Sequence, residues 1–518
     1  MSKSLETRLE RLSATWPLGA VTRDSGTIAW TITHNSRFEY SKIALIDFAH
    51  HSNETEHKLL ILPNTTINPT KSTKYLGVIL DQSLNWKQQL AYVIGKGTTW
   101  AAQIKRAARP TWGLMPKSAR KLYLGVALPR ILYRIKVWCH QKHRRKNQTP
   151  ATAMRKLASV QRQGALAITG GFRTSLNNAL DAYASLLPMH LRLEKVKFNT
   201  ATHIASLPPT HPLHKPIRKA VKRQVKRHCS PLHELASSLS SAPEELETVP
   251  VVHNNPVHHQ STSLIIHIPA DKEASKRVEA HTREEIKVYT DGLSHNSAVG
   301  AAVVMYRNGR HTCTLKYHLG PASKHTVYEA KLVGLLLGLH LIKTEKRSNT
   351  SCALGADNQA AIEALQSELT RPGQHIAVEF VKTANTLRKT RSKRKYKLTV
   401  RWTAGHVGIA GNEKADTEAK TAVEGTSSDK TDLPRYLRKA VRSSISASKQ
   451  KHNEKLNETW KVEWQRSDRY KRFKAPDIIS PASKKFLLLT NDHRISRHMA
   501  SLIFQLRVSH ARLNGYLN

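Results

Sequence analysis

Apolar and polar positions change rhythm along this chain, and the changes divide it. From Ile286 the run "IKVYT" is apolar-rich and β-branched and closes at "DG", which predicts a strand ending at a turn. "AVGAAVVMY" and "HTCTLKYHL" predict two further strands. "SKHTVYEAKLVGLLLGLHLIKTE" predicts a helix capped near Ser323 or Thr326, with an apolar face wide enough to be buried. "SCALGAD" reads as a short strand, "NQAAIEALQSEL" as a helix and "YKLTVRW" as a strand. A glycine-rich loop, "GHVGIAG", then leads into the helix "NEKADTEAKTAV". The order βββ-α-β-α-(α)-β-α over 285–423 implies a mixed sheet with helices on its faces.

Upstream the pattern is looser. "YLGVILD" predicts a strand closed by a turn. Trp86, Leu90, Val93, Trp100 and Ile104 recur at helical spacing, against which Gly95 and Gly97 count. "MRKLASVQRQGALAITGG" predicts a helix stopped by glycine. Over 207–284 order gives way. "LPPTHPLHKP" does not suit regular structure, "IRKAVKRQVKR" is basic without an acid, and "SSLSSAPEELETVPVVHNNPVHHQS" is rich in Ser, Pro and His. This stretch reads as a linker, and its irregularly spaced histidines as solvated loop.

Charge changes the picture most. The 518 residues carry 83 Lys plus Arg against 38 Asp plus Glu, a formal net charge of +45. Such an imbalance predicts an anionic partner, most simply a nucleic-acid backbone bound in a salt-dependent way. No basic amphipathic helix favours a membrane surface instead. Cys139, Cys229, Cys313 and Cys352 form no Cys-x-x-Cys pair, so free thiols in a reducing compartment are expected. The apolar run Val333 to Ile342 is too short to span a bilayer, and the N-terminus lacks a signal-peptide core. An intracellular protein, nuclear or cytoplasmic and not secreted, is expected.

Four acids fall at informative places. Asp291 ends the first predicted strand, Glu329 lies in the first turns of the buried helix, Asp357 follows the fourth strand, and Asp416 lies on the final helix. Ligand sites in open α/β sheets gather beyond the carboxyl ends of strands, so Asp291 and Asp357 are candidates to lie side by side. Four carboxylates together repel unless cations neutralise them, and all-oxygen ligation suits Mg²⁺ or Mn²⁺. A pair of such ions is an arrangement for phosphodiester cleavage. Singly, each acid has an ordinary explanation. Asp291 suits a turn, Asp357 a helix cap, and Asp416 an exposed helix face. Glu329, on a helix buried on several sides, is harder to dismiss.

The segment 286–423 resembles type I ribonuclease H in "YTDG", "YEAKLVGLLLGL", "ADNQAAIEAL" and "WTAGHVGIAGNEKADTEAK". The resemblance implies an α/β fold with a mixed five-stranded sheet and flanking helices. It implies a two-ion Mg²⁺ cage, with Mn²⁺ as substitute, formed by Asp291, Glu329, Asp357 and Asp416. His406 would assist proton transfer or product departure, and the RNA strand of RNA–DNA hybrids would be the substrate. Two positions depart from the family pattern. Leu293 follows "DG" where serine is usual, and Ala404 precedes "GH" where proline is usual. A basic run before the last strand, including Arg388, Lys389, Arg391, Lys393, Arg394 and Lys395, is expected to contact the hybrid backbone without reading sequence.

The first 213 residues resemble the late palm, thumb and connection of a non-LTR retrotransposon reverse transcriptase, in "HNSRFEYSKIALIDF", "YLGVILDQSLNW", "ALPRILYRIKVW" and "VQRQGALAITGGFRTS". No Asp-Asp pair occurs, so polymerase activity is not expected. The expected organisation is a mostly helical reverse-transcriptase remnant over 1–213 and a linker over 214–284. A ribonuclease H domain over 285–425 and a basic helical region over 426–518 follow, in a fragment cut short at both ends. The competing expectation is a nucleic-acid-binding remnant that no longer cuts. An integrase, an exonuclease or a full reverse transcriptase fits the motifs less well.

Overall fold

The computed structural model describes residues 33–508 except 37–38, 47, 49–59, 63–64, 140–149, 224, 226–229, 251–263, 346–350, 368–370, 392–396 and 468–483. The chain divides into two units, Met1–Met189 with Ser467–Asn518, and His190–Arg466. Residues after 425 are therefore shared between them. Among the described residues no helix is long and apolar enough to cross a membrane. Among the described residues Cys139, Cys313 and Cys352 form no disulfide, and Cys229 lies outside the described residues.

The first unit is mostly helical. "YLGVILD" is not one strand: Ser72–Tyr75 pairs antiparallel with Val78–Asp81. Leu76 (φ 47°) and Gly77 (φ 81°) form the two-residue connection, and positive φ at both central positions suits the twist of a hairpin. The Asp81 carboxylate accepts from the Asn85 and Trp86 amides at 2.9 and 2.8 Å, just ahead of the helix Lys87–Ala107. That helix runs unbroken through both glycines. A Cβ at Gly97 would stand 2.8 Å from Val160 Cγ1, so the bare backbone is what lets this helix approach Pro150–Thr169. The latter stops at Gly170 (φ 73°), the glycine stop expected. The buried guanidinium of Arg497 donates to Ile168 O at 2.8 Å, Ala167 O at 2.7 Å and Arg109 O at 2.9 Å. A cation there meets the negative end of a helix, while burial lowers its pKa to about 10.

The second unit contains, in chain order, α1 (Met189–Ala205), α2 (His214–Lys222), α3 (Pro231–Ala236), β1 (Ile265–His267) and α4 (Lys272–His281). Then come β2 (Ile286–His295), β3 (Ala298–Arg307), β4 (Arg310–Pro321), α5 (Val327–Thr344), β5 (Cys352–Ala356) and α6 (Gln359–Ala364). It closes with α7 (Gln374–Arg391), β6 (Leu398–Trp402), α8 (Ala410–Val423) and α9 (Ile445–Arg466). The sheet order is β1-β6-β5-β2-β3-β4. The first four strands are parallel and the β2-β3-β4 hairpins antiparallel.

The sheet has six strands, not the five expected. The extra strand, β1, pairs Ile266 with Val400 of β6. It comes from the stretch expected to be a linker, which also holds α2, α3 and α4. Three residues are too few to show a period, so composition outweighed them. The Pro/His run at 251–263 lies outside the described residues. α4 is built into the fold. Asp271 caps it by accepting from the Ala274 amide at 2.7 Å, and Glu279 accepts from Tyr289 Oη at 2.5 Å and Arg401 Nη2 at 2.6 Å.

Strand alternation assigns the two faces. Val288, Val303, Leu354 and Val400 pack with Leu335 and Leu339 of α5. On the other face Tyr289 and Val304 pack with Ala415 of α8.

Candidate functional site

β2 and β5 run in parallel register that ends at the pair Thr290 and Ala356. The next residue on each strand is an aspartate, Asp291 and Asp357. Asp291 does not end its strand. β2 continues to His295, paired there with β3 alone. Gly292 allows this, because a Cβ would stand 2.5 Å from the Ala330 carbonyl carbon of α5. The close approach brings the next helix residue, Lys331, to the acids. Its ammonium donates to Asp291 Oδ1 at 2.8 Å and to Asp357 Oδ1 at 2.5 Å. The Gly292 amide also donates to Asp291 Oδ1, at 2.6 Å. Side-chain exposure is 7% for Asp291, 13% for Lys331 and 23% for Asp357. Burial raises the Asp291 carboxyl above its usual range; Lys331 opposes this and Asp357 adds to it. Burial works against the Lys331 cation, yet the two carboxylates hold it above its ordinary value.

The loop after β6 covers this pair. Trp402 Nε1 donates to Asp357 O at 2.9 Å and the Thr403 amide to Ala356 O at 2.9 Å. Asn358, not Asp357, caps α6, by accepting from the Ala361 amide at 2.8 Å. The Asp357 carboxylate is thus left for Lys331. A Cβ on Gly405 would stand 3.5 Å from Asp357 Oδ2, so the loop passes directly over the carboxylate. His406 follows, exposed and with φ 57°. Asp416, on α8, accepts from Lys420 Nζ at 2.7 Å. Lys420 is held above its ordinary value chiefly by that bond, and Asp291 contributes further.

Glu329 does not join them. Residues two apart on a helix point about 200° away from each other, so with Lys331 on the Asp291 side Glu329 faces elsewhere. It is the third residue of a capping box. Its Oε2 accepts from the Thr326 amide at 2.8 Å and hydroxyl at 3.1 Å, and its own amide donates to Thr326 Oγ1 at 3.2 Å. Burial, with Glu247 adding, pushes its carboxyl up to about 8. Glu247 is itself buried and accepts from the Gly373 and Ile445 amides at 2.6 and 2.8 Å. The expected four-acid cage is therefore corrected at Glu329. Among the described residues no group of three or more His, Cys, Asp or Glu is arranged to hold a metal ion.

Residues 283–424 match the family model described as RNase H. This segment is an RNase H domain. A 132-residue stretch is 27% identical to the retrovirus-related Pol polyprotein from type-1 retrotransposable element R1 4 of Nasonia vitripennis. The match covers 26% of this chain and 32% of that protein, so the chain spans about a third of its relative's length. Among solved structures, the N-terminal RNase H domain of rv2228c from Mycobacterium tuberculosis, fused to maltose-binding protein, is 19% identical. It covers 27% of this chain and 94% of its own, with a TM-score of 0.21. RNase H1 from Halobacterium salinarum is 17% identical over 27% and 98%, with a TM-score of 0.22. LC11-RNase H1, solved with an RNA/DNA hybrid, is 17% identical over 27% and 97%, with a TM-score of 0.22.

The two departures in the RNase H domain have local accounts. The Ala404 amide donates to Ser275 Oγ of α4 at 2.9 Å, a bond that proline has no N–H to make. Leu293 pairs with Gly300 across β2 and β3, while the Ser294 hydroxyl bonds Ala298 O at 2.9 Å in the hairpin. The hydroxyl is thus directed to the hairpin rather than to Asp291. Of the basic run, Arg388 and Lys389 are exposed near the end of α7, which Arg391 closes. Lys393, Arg394 and Lys395 lie outside the described residues. The residue that sequence reasoning missed is Lys331. Its signal was there: it is the only charge between Ala330 and Leu339 in an otherwise apolar helix.

Proposed function

We propose that this chain is a retroelement-derived protein whose RNase H domain holds RNA–DNA hybrid and, with the residues it has, does not cut it. The observation that carries this reading is the Asp291–Lys331–Asp357 bridge. RNase H domains generally use divalent metal ions, but the residues here do not fit one between these acids. An ion between these carboxylates would have to displace the ammonium that already bridges them at 2.8 and 2.5 Å. A dication left within about 4 Å of that ammonium would meet a repulsion on the order of 8 kcal/mol at an effective dielectric near 20. Binding keeps its support. The net charge of +45 favours a polyanion, and Arg388 and Lys389 offer backbone contacts beside the domain's sheet. The helical first unit, as a thumb and connection remnant, would add phosphate contacts and no polymerisation.

Cleavage is the second reading. The loop carrying His406 passes over Asp357, and α8 carries Asp416, which supports this reading without joining Asp416 to the pair. The deciding experiment incubates the full chain with end-labelled RNA–DNA hybrid in Mg²⁺, Mn²⁺ or EDTA, beside Asp357→Asn. Salt-dependent binding with intact RNA in all three conditions is expected. Metal-dependent cutting that Asp357→Asn abolishes would establish the nuclease instead. Failure to bind hybrid, with tight binding to single-stranded RNA alone, would overturn the hybrid reading.

A further inference from the structure

We infer that Lys331 is a covalently tethered cation standing where a divalent ion would otherwise be held, and that this one side chain is what closes the acid pair to metal. The inference rests on the reading of the domain as non-cutting and gives that reading its cause.

The neighbourhood supports it on geometry alone. The lysine reaches both carboxylates from α5, and the backbone that carries it is fixed by the contact of Gly292 with Ala330. The ammonium is mostly buried, with 13% of its side chain exposed, so it does not swing freely into solvent. An ammonium supplies one positive charge and donates hydrogen bonds; it offers no coordination position and no polarised water. The pair is thereby charge-compensated without an exchangeable ion. Position 331, unlike position 329, faces Asp291 and Asp357. A carboxylate at 331 would put three acids at one point, carried by β2, the end of β5 and α5. Oxygen-only ligation of that kind suits Mg²⁺ or Mn²⁺.

The test is Mn²⁺ binding to the full chain, followed by electron paramagnetic resonance of free Mn²⁺ and by thermal unfolding in Mn²⁺ against EDTA. The unmodified chain is expected to take up no Mn²⁺ at this site and to melt at the same temperature in both. Lys331→Glu is expected to bind Mn²⁺ and melt higher in Mn²⁺, and Asp357→Asn on top of it to lose both effects. If Lys331→Glu does not fold, Lys331→Ala carries the test. It must bind Mn²⁺ at least about tenfold more tightly than the unmodified chain. Mn²⁺ uptake by the unmodified chain that Asp357→Asn removes would overturn the inference. So would a folded Lys331→Glu, or a Lys331→Ala, with no gain in Mn²⁺ binding. Hybrid affinity is measured separately by fluorescence anisotropy in EDTA. Its absence would sink the binding reading and leave the Mn²⁺ result to decide the role of Lys331.

Discussion

On one side of α5, Lys331 lies between two carboxylates. On the other, Glu329 lies near another buried acid, Glu247, and among the described residues its bonded oxygen accepts from Thr326 and not from a cation. The two residues are two positions apart on one helix, yet burial is accommodated by different means. The Asp291–Asp357 side is compensated by an opposite charge. The Glu329 side is compensated by a proton, since burial pushes that carboxyl up to about 8. One side thus keeps charged groups close to an open loop, while the other hides a neutral acid in a helix cap. Buried ion pairs and protonated buried acids answer the same desolvation cost, but only the first leaves charges for a ligand to meet.

The comparison is broken most severely at Lys331. Lys331→Met leaves two adjacent carboxylates without their cation, and about 3–5 kcal/mol of stability is expected to go at pH 7. Urea unfolding measures it, and the loss is expected to shrink as the pH falls and one carboxyl takes up a proton. Next comes the pH dependence carried by Glu329. Its folded value of about 8 lies above the roughly 4.3 of an unfolded chain, so the folded state binds the extra proton. This group therefore stabilises fully below its unfolded pKa and progressively less as the pH rises towards 8. Glu329→Gln is expected to remove that decline, a difference of a few kcal/mol between pH 5 and pH 9. At pH 5 itself the substitution is expected to change little. Unfolding curves of both proteins across that range decide it, and an unchanged slope in the variant would return Glu329 to the charged side of the helix.

Smaller effects sharpen the picture around the loop. Ala404→Pro restores the residue usual in the family but deletes the N–H bonded to Ser275. A loss of about 1 kcal/mol is expected by thermal unfolding. Smallest is the change in hybrid binding when Arg388 and Lys389 become alanine. Affinity should fall equally for unrelated sequences, and the salt slope should drop by about 1 per lost phosphate contact.

The sequence made the strands β2 to β4 and the helices α5 and α8 legible, because long apolar runs and their periods survive without tertiary knowledge. It hid β1, whose three residues sit beside a Pro- and His-rich run. It also hid the hairpin at Leu76 and Gly77, since leucine is an unusual residue for positive φ. Asp291 and Asp357 were legible as acids following apolar strand residues. Glu329 misled, because "TVYE" is at once a capping box and a plausible acid on the buried helix. Only the turn of the helix separates the two meanings, and it selects position 331 instead. A lone lysine in "AKLVGLLLGL" was the available clue, and its weight comes from asking what a buried ammonium must be facing.

The ammonium between two aspartates has a consequence for heredity. Lysine and glutamate codons differ at their first base alone, adenine against guanine. A single transition in the gene would exchange the tethered cation for a third carboxylate, without touching the strands, the histidine loop or the cap. A gene encoding this chain therefore stands one base change from a site of opposite charge at the same helical position.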